Sequence, residues 1–253
     1  MAYIGVPLDD GQPLNLIPHA VIRDAIATFL ALPKERETGP LRVLIYGHSF
    51  IHRLDSYMKK GSPKMQNFGF KDDQVVLQFK GIGGAHVSTL LLEENFKIID
   101  EFMPNIVFLQ VGTCELSYYY SRPESVGSDI HEFVQEIINK RVERVIVGEV
   151  LFRTQAGVGY EERLFNGKVT VLNRYLSAVI NDMQAGMFWH HRGFWRDFKK
   201  NLDGEDGTHL NELGLYKYFR SLRGAILVTL KYMRPALYAR IQQEKQQERH
   251  MDV

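Results

Sequence analysis

Short runs of aliphatic and β-branched residues recur along the middle of the chain, and each is followed by glycine or polar residues. Continuous apolar runs of this length are typical of strands that are buried on both faces, as in a parallel sheet. Four runs are clear and a fifth is weaker. In chain order they are Val43–Tyr46, Val75–Phe79, Ile106–Val111, Val145–Val150 and, as the weaker one, Met187–His190.

Between these runs, apolar residues recur at helical spacing and predict amphipathic helices. One stripe runs from Ile130 to Ile138, behind Ser128 as a candidate N-cap. A second stripe covers residues 172–183, and a third covers 215–233 and ends before Pro235. Alternating strands and helices predict an α/β domain with a doubly wound parallel sheet. Its ligand crevice is expected at the carboxyl ends of the strands.

The pattern divides the chain into three parts. Residues 1–40 are predicted to be an N-terminal extension with one amphipathic helix, Pro18–Leu32. Residues 41–235 are predicted to form the α/β domain. The polar residues 236–253 are predicted to form a solvated helical tail whose end frays.

Composition narrows the classes of function. The chain has 253 residues, 45% of them hydrophobic, which is enough for one large core. A formal net charge of +1 disfavours nucleic acid or an anionic membrane as the partner. The single cysteine, Cys114, fits a reducing compartment. With no signal-peptide pattern and no apolar run of bilayer length, we expect a soluble cytoplasmic protein that does not bind membranes.

Chemically useful residues follow the predicted strands. Ser49 comes after the first strand, a glycine-rich stretch at 81–84 after the second, and Gly112 after the third. Asp206 and His209, three residues apart, precede the last predicted helix. A serine hydroxyl becomes a useful nucleophile when a base takes its proton and an anion orients that base. The sequence therefore predicts a Ser–His–Asp constellation at one edge of the sheet.

Four short blocks in this order resemble the SGNH (GDSL-type) hydrolases, a superfamily of serine esterases, lipases and carbohydrate deacetylases. The spacing of the first two blocks is similar to that in the platelet-activating-factor acetylhydrolase-like branch. The resemblance covers roughly residues 41–232. The blocks are Gly47-His48-Ser49-Phe50, residues 79–84, residues 104–113, and Asp206-Gly207-Thr208-His209-Leu210-Asn211.

The resemblance implies a flavodoxin-like three-layer α/β/α sandwich with a parallel sheet of about five strands. It also implies Ser49 as nucleophile, His209 as base and Asp206 as the orienting carboxylate, with no cofactor. The oxyanion hole would use backbone N–H groups of Ser49 and Gly84 and the side chain of residue 114. That side chain is Asn in the family and Cys114 here. Because a thiol is a weak donor, we expect a weakened oxyanion hole.

Several other residues near the strand ends are candidates for contact with substrate. His48 replaces the family's Asp beside the serine, and Glu115 replaces the Asp that follows the oxyanion Asn. Arg153 follows the fourth strand and could hold an anionic group. Aromatic residues in the same region often line a pocket. The candidate substrate-binding residues are His48, Tyr118, Arg153 and Trp195.

Alternatives stay open at this point. Cys114 could itself be a nucleophile activated by a histidine. His48, His52 and His86 could form a metal site, although we expect no metal. The first hypothesis is a serine esterase or deacylase that acts through an acyl-enzyme on a small acyl ester or acetylated substrate. The second is a catalytically decayed binding or scaffolding module. Domains that resemble SGNH hydrolases also occur in some retroelement-encoded proteins that work beside nucleic acid. Together with the locally basic stretch 231–249, this keeps nucleic acid as a candidate partner of such a module.

Overall fold

The computed structural model describes residues 39–61, 63–155, 161–194 and 201–251. Two predictions lie outside these residues: the N-terminal extension with its helix Pro18–Leu32, and Trp195. The boundary between the α/β domain and its polar tail also stays a prediction.

Five parallel strands form one central sheet, as the apolar runs predict. The order across the sheet is β2-β1-β3-β4-β5. Every neighbouring pair is parallel, which requires a crossover connection between successive strands. The strands are β1 (Leu41–Gly47), β2 (Val75–Gly81), β3 (Ile106–Gln110), β4 (Arg144–Gly148) and β5 (Gly186–Trp189).

Helices connect the strands, and none of those described is long and apolar enough to cross a membrane. Short 3₁₀ turns also occur at Pro63–Gly69 and Glu115–Ser117. The helices are α1 (Ser49–Lys60), α2 (Val87–Leu91), α3 (Glu93–Phe96), α4 (Ile98–Phe102), α5 (Pro123–Asn139), α6 (Glu162–Asp182), α7 (Glu212–Met233) and α8 (Pro235–Met251).

One predicted helix start is wrong. Ser128 lies inside α5, which begins five residues earlier at Pro123, with Arg122 at the N-cap. Proline is well suited to the first helical position because its fixed φ is helical and it has no N–H to leave unpaired. The first turn is polar, so the apolar stripe that begins near Ile130 marks the buried face and not the helix start.

The three central strands, β1, β3 and β4, are buried on both faces, and the edge strands β2 and β5 are half-buried. Helices cover both faces of the sheet, which makes the domain a three-layer sandwich. Successive side chains along β1 point to opposite faces. Leu44 and Tyr46 pack into one core with residues of α2, α4, α5 and α6. Val43 and Ile45 pack into the other with residues of α1, α7 and α8. The α/β/α sandwich inferred from the sequence is therefore confirmed.

Two glycines let the start of α1 lie close to the strand ends. A Cβ at Gly81 would overlap the backbone of His52 in α1. Gly47 has φ +153°, and a Cβ there would overlap the carbonyl of Gln110 in β3. Both positions need a residue without a side chain, because backbone atoms cannot move aside as the tip of a flexible side chain can.

A polar network lies within the core at the end of β3. The Gln110 amide oxygen accepts hydrogen bonds from the Tyr218 hydroxyl at 2.8 Å and from His191 Nε2 at 3.2 Å. The other nitrogen of His191 lies 2.9 Å from the Ser221 hydroxyl, which also accepts from the Trp189 indole N–H. Burial, followed by the nearby His190, lowers the pKa of His191 to about 3. The network therefore holds a neutral imidazole.

We expect Gly81→Ala to destabilise the domain by roughly 1–3 kcal/mol, because the new methyl group forces α1 away from β2. Gly167→Ala in α6 is the matched control. Nothing lies within 4 Å of a Cβ at Gly167. In a helix, alanine in place of glycine stabilises by about 0.5–1 kcal/mol. Urea unfolding of the two variants measures both effects, and an unchanged midpoint for Gly81→Ala would contradict the packing described above.

The buried His191 makes stability depend on pH. Its pKa of about 3 in the folded chain lies below the ordinary value of 6.5. The unfolded chain therefore binds more protons between these values, and the unfolding free energy falls as pH falls. This residue alone should contribute roughly 1.4 kcal/mol per pH unit below about 6.5. Urea denaturation at several pH values between 7.5 and 5 gives the unfolding free energy as a function of pH. This free energy should depend less steeply on pH for His191→Gln than for the wild type. Equal slopes would exclude the linkage.

Candidate active site

Ser49 is the first residue of α1, directly after β1. Two hydrogen bonds of His48 hold the turn between β1 and α1. The His48 N–H donates to the Gln110 carbonyl at 3.2 Å, and His48 Nδ1 accepts from the Phe50 N–H at 3.4 Å. The N-cap is therefore His48, and Ser49 does not fill this role. The Ser49 side chain remains available to groups at the sheet edge.

The segment before α7 brings a histidine and a carboxylate to this serine. His209 Nε2 lies 2.9 Å from Ser49 Oγ, and His209 Nδ1 lies 2.7 Å from Asp206 Oδ2. The helix that follows is capped by Asn211, whose side chain accepts from the Gly214 N–H at 2.9 Å. Asp206 is thus not needed as a cap, and it faces the imidazole.

Local hydrogen bonds hold the Asp206 carboxylate in place. Its Oδ1 accepts from the backbone N–H of Thr208 at 3.0 Å and of His209 at 2.8 Å. Partial burial works in the opposite direction, but these bonds and the His209 side chain hold the pKa of Asp206 well below its usual range. The carboxylate is therefore an anion at neutral pH and accepts the Nδ1–H of His209, which orients Nε2 toward the serine.

The loops after β2 and β3 supply the groups predicted for an oxyanion hole. Gly84 is exposed and has φ +68°, a left-handed conformation that favours glycine. Cys114 follows the buried Thr113 and is half-buried. Because β2 and β3 are the two neighbours of β1, their following loops flank Ser49. The predicted roles of Ser49, Gly84 and Cys114 in binding an oxyanion stay predictions.

The environment of Cys114 keeps its sulfur protonated. Burial, together with the Glu115 carboxylate, raises the pKa of the thiol to about 11, although Arg153 acts in the opposite direction. A thiolate is the reactive form of cysteine, so a protonated thiol at neutral pH makes a poor nucleophile. The raised pKa therefore argues against the alternative in which Cys114 is the nucleophile.

His48 does not lie at the protein surface, where a substrate-binding residue is expected. Its side chain is fully buried, and it bonds the turn before α1. Burial, followed by Arg153 and His209, lowers the pKa of His48 to about 3. His48 is thus a neutral structural residue. Among the described residues, no group of three His, Cys, Asp or Glu side chains could hold a metal ion.

Arg153 is buried and bonds to the loop that follows β3. Its guanidinium donates to the Thr113 carbonyl at 3.1 Å, the Thr113 hydroxyl at 2.9 Å and the Ser117 hydroxyl at 2.9 Å. It also lies over the Phe165 ring, 4.4 Å from the ring centre. These contacts hold the loop that carries Cys114, in place of the predicted contact with an anionic substrate group.

Tyr118 lies at the protein surface, in the loop that follows β3. Its side chain is exposed, and its ring stacks on His86 with the ring centres 5.5 Å apart. The contact of Tyr118 with substrate stays a prediction.

Three residues, Gln110, Arg53 and Glu115, help to position the site through contacts that the sequence did not predict. Gln110 could have indicated the buried polar network, because it is the one polar residue in the otherwise apolar strand Ile106–Gln110. Arg53, one helical turn after Ser49, lies 3.8 Å from the Asp206 carboxylate. Glu115 accepts the Val87 N–H at 2.7 Å and so joins the loops after β2 and β3. The last two contacts depend on the tertiary fold and have no signal in local sequence.

No family model and no curated protein matches this sequence, whereas solved structures do. An acylhydrolase from Bacteroides fragilis covers 84% of this chain and 98% of its own, with 18% identity and a TM-score of 0.56. The alignment with a GDSL-like lipase from Bacteroides thetaiotaomicron covers 82% of this chain and 98% of the lipase, with 16% identity and a TM-score of 0.55. The alignment with a carbohydrate esterase family 3 protein from Talaromyces cellulolyticus covers 76% of this chain and 98% of that protein, with 13% identity and a TM-score of 0.54.

At these identities the similarity concerns the arrangement of the backbone. It covers most of this chain and nearly all of each of these structures. The chain therefore has the three-layer α/β/α fold of the SGNH/GDSL hydrolases.

Proposed function

We propose that the chain is a serine esterase or deacylase that acts through an acyl-enzyme. The observation that carries this proposal is the continuous hydrogen-bonded chain from Ser49 Oγ through His209 to Asp206. A serine, a base and an orienting carboxylate in this geometry are the arrangement that activates a hydroxyl for attack on a carbonyl. The solved structures of the same fold include acylhydrolases and esterases, which supports the same reaction class.

In the proposed first step, Ser49 Oγ attacks the carbonyl carbon of an ester while His209 Nε2 takes the hydroxyl proton. Asp206 stabilises the resulting imidazolium. The tetrahedral intermediate then collapses, and His209 returns the proton to the leaving alcohol. In the second step, His209 takes a proton from water while the water oxygen attacks the acyl-enzyme carbonyl. When the bond from the acyl carbon to Ser49 Oγ breaks, His209 donates this proton to Ser49 Oγ, which releases the acid and restores the serine hydroxyl.

The negative oxygen of the tetrahedral intermediate would be bound by the backbone N–H groups of Ser49 and Gly84. Cys114 would add only a weak thiol donor. Losing one strong donor typically lowers kcat by about 10²–10³-fold. We therefore propose a slow esterase for short acyl groups. Acetylated substrates are favoured because several proteins of the same fold are acetyl xylan or acetyl esterases.

The competing proposal is a decayed module that binds a partner without catalysis. The observation in its favour is Cys114 at the position where the SGNH family has Asn. The two proposals differ in whether Ser49 is chemically reactive.

We expect a fluorophosphonate probe to label Ser49, and the wild type to hydrolyse p-nitrophenyl acetate slowly. Ser49→Ala should lose the label and most of the hydrolysis, because no activated hydroxyl remains. Ser56→Ala is the matched control, since Ser56 lies on the same helix and its hydroxyl donates to the His52 carbonyl. Mass spectrometry of the labelled peptide identifies the site. Equal hydrolysis by wild type and Ser49→Ala would favour the binding module.

Cys114→Asn should raise kcat on short esters, by up to about 10²-fold, because it restores an amide donor at the oxyanion position. Cys114→Ala should change kcat little, because the lost thiol donates weakly. Steady-state kinetics on both variants, with circular dichroism to confirm folding, measures the effect. If both substitutions abolish activity and iodoacetamide inactivates the wild type, the cysteine is the nucleophile. A folded Cys114→Asn variant no faster than wild type refutes the assignment of residue 114.

A further inference from the structure

The turn that carries Asp206 and His209 is closed on itself by backbone hydrogen bonds. The Gly204 N–H donates to the His209 carbonyl at 2.7 Å, and the Gly207 N–H donates to the Gly204 carbonyl at 3.0 Å. The turn is therefore a compact unit. Contacts that hold it from outside also set the position of the His209 ring relative to the rest of the site.

The loop after β4 makes such contacts with this turn. The backbone N–H groups of Thr154 and Gln155 both donate to the Gly207 carbonyl, at 2.9 and 3.1 Å. The Thr154 hydroxyl donates to the Asp203 carboxylate at 2.8 Å and also lies 3.3 Å from the Gly207 carbonyl. Gly207 has φ +59°, and a Cβ there would lie 2.8 Å from the Gln155 backbone nitrogen. The loop and the turn are thus in direct backbone contact, and the Thr154 side chain reinforces that contact.

The loop after β4 is itself fixed to α6 and to the loop after β3. The buried Asn166 side chain accepts from the Arg153 N–H at 3.0 Å and donates to the Arg153 carbonyl at 2.8 Å. The Arg153 guanidinium donates to the carbonyl and the hydroxyl of Thr113. Consecutive residues therefore bond to two different segments: Arg153 to the loop after β3, and Thr154 to the turn that carries His209.

We propose that Thr154 is a positioning residue: through its bonds to the turn 203–209, it holds His209 Nε2 within hydrogen-bond reach of Ser49. This inference rests on the proposed acyl transfer at Ser49. Nε2 lies 2.9 Å from Ser49 Oγ. A displacement of about 1 Å takes the two atoms beyond hydrogen-bond reach, and a misplacement of that size can cost about 10²-fold in rate.

The hydroxyl is the part of this contact that a substitution removes without touching the backbone. Asp203 is only 9% exposed, and a carboxylate in such a place depends on hydrogen-bond donors to offset its loss of water. Thr154→Val keeps the shape of the side chain and the backbone N–H but removes this donor. Thr154→Ser keeps the donor and loses only a methyl group.

Kinetics on p-nitrophenyl acetate tests the role of the hydroxyl. Thr154→Val should lower kcat by about 10-fold, with KM little changed because His209 serves both proposed steps. Thr154→Ser should restore most of kcat. Thr229→Val is the matched control and should leave kcat unchanged, since Thr229 is buried in α7 and its hydroxyl donates to the Ala225 carbonyl of the same helix.

An unchanged kcat in a folded Thr154→Val variant overturns the inference, and so does an equal loss in Thr229→Val. Circular dichroism checks the folding of each variant. If Thr154→Val does not fold, Thr154→Ala takes its place, because a water molecule can enter the vacated space and bond the Asp203 carboxylate. The same loss of kcat is then expected, because water does not tie the turn to the loop.

Proton NMR of the His209 ring separates this inference from the proposed reaction, because it needs no turnover. Ser49→Ala should shift the Cε1–H resonance of His209 in the otherwise unchanged protein, and shift it less when Thr154→Val is also present. That result supports the positioning role even if no ester is hydrolysed, an outcome that refutes the proposed esterase alone. Equal shifts with and without Thr154→Val overturn the positioning role whatever the activity. No shift in either case overturns both proposals.

Discussion

The close approach of α1 to the ends of β1 and β2 is the constraint on which the site depends. Without a side chain at Gly81, the backbone of His52 lies against the strand, and without one at Gly47 the β1 turn lies against Gln110. This packing fixes where α1 begins, and Ser49 is its first residue. The hydroxyl is thus placed by backbone contacts, which are stiffer than side-chain contacts. A histidine 160 residues away can then meet it at 2.9 Å.

The domain places its buried polar groups so that few of them carry charge. His191 is neutral within the Gln110 network, and His48 is neutral beneath the serine, both because burial disfavours the protonated ring. The charge that the proposed reaction needs belongs instead to Asp206, which is partly exposed and held as an anion by backbone N–H groups. Keeping the anion near solvent avoids the large cost of burying an unpaired charge.

Local sequence predicts the elements of this fold better than it predicts the direction of single side chains. Apolar runs identify all five strands because strands of a parallel sheet covered by helices are largely apolar, even at the half-buried edges. The start of α5 was missed because its first turn is polar, so the apolar stripe began after the helix did. His48 and Arg153 were expected at the rim, yet both turn inward. Their partners, such as Phe50 and Thr113, become neighbours through the turn and the fold, and composition and spacing do not report such contacts.

Ser49 is hydrogen-bonded to His209, whereas the proposed oxyanion donors include only the weak thiol of Cys114. The size of each effect on the rate decides which of the two matters more. Removing one strong donor costs roughly 3–4 kcal/mol of transition-state stabilisation. Serine catalysis as a whole supplies considerably more, since removing the nucleophile can cost about 10⁶-fold in kcat. In the proposed mechanism, Cys114 in place of an amide would therefore slow the acyl transfer without removing it. The protonated state of Cys114 also leaves the serine as the stronger candidate for attack. The geometry at Ser49 thus carries more weight than the cysteine at position 114, which is why we propose a slow esterase in preference to a decayed binding module.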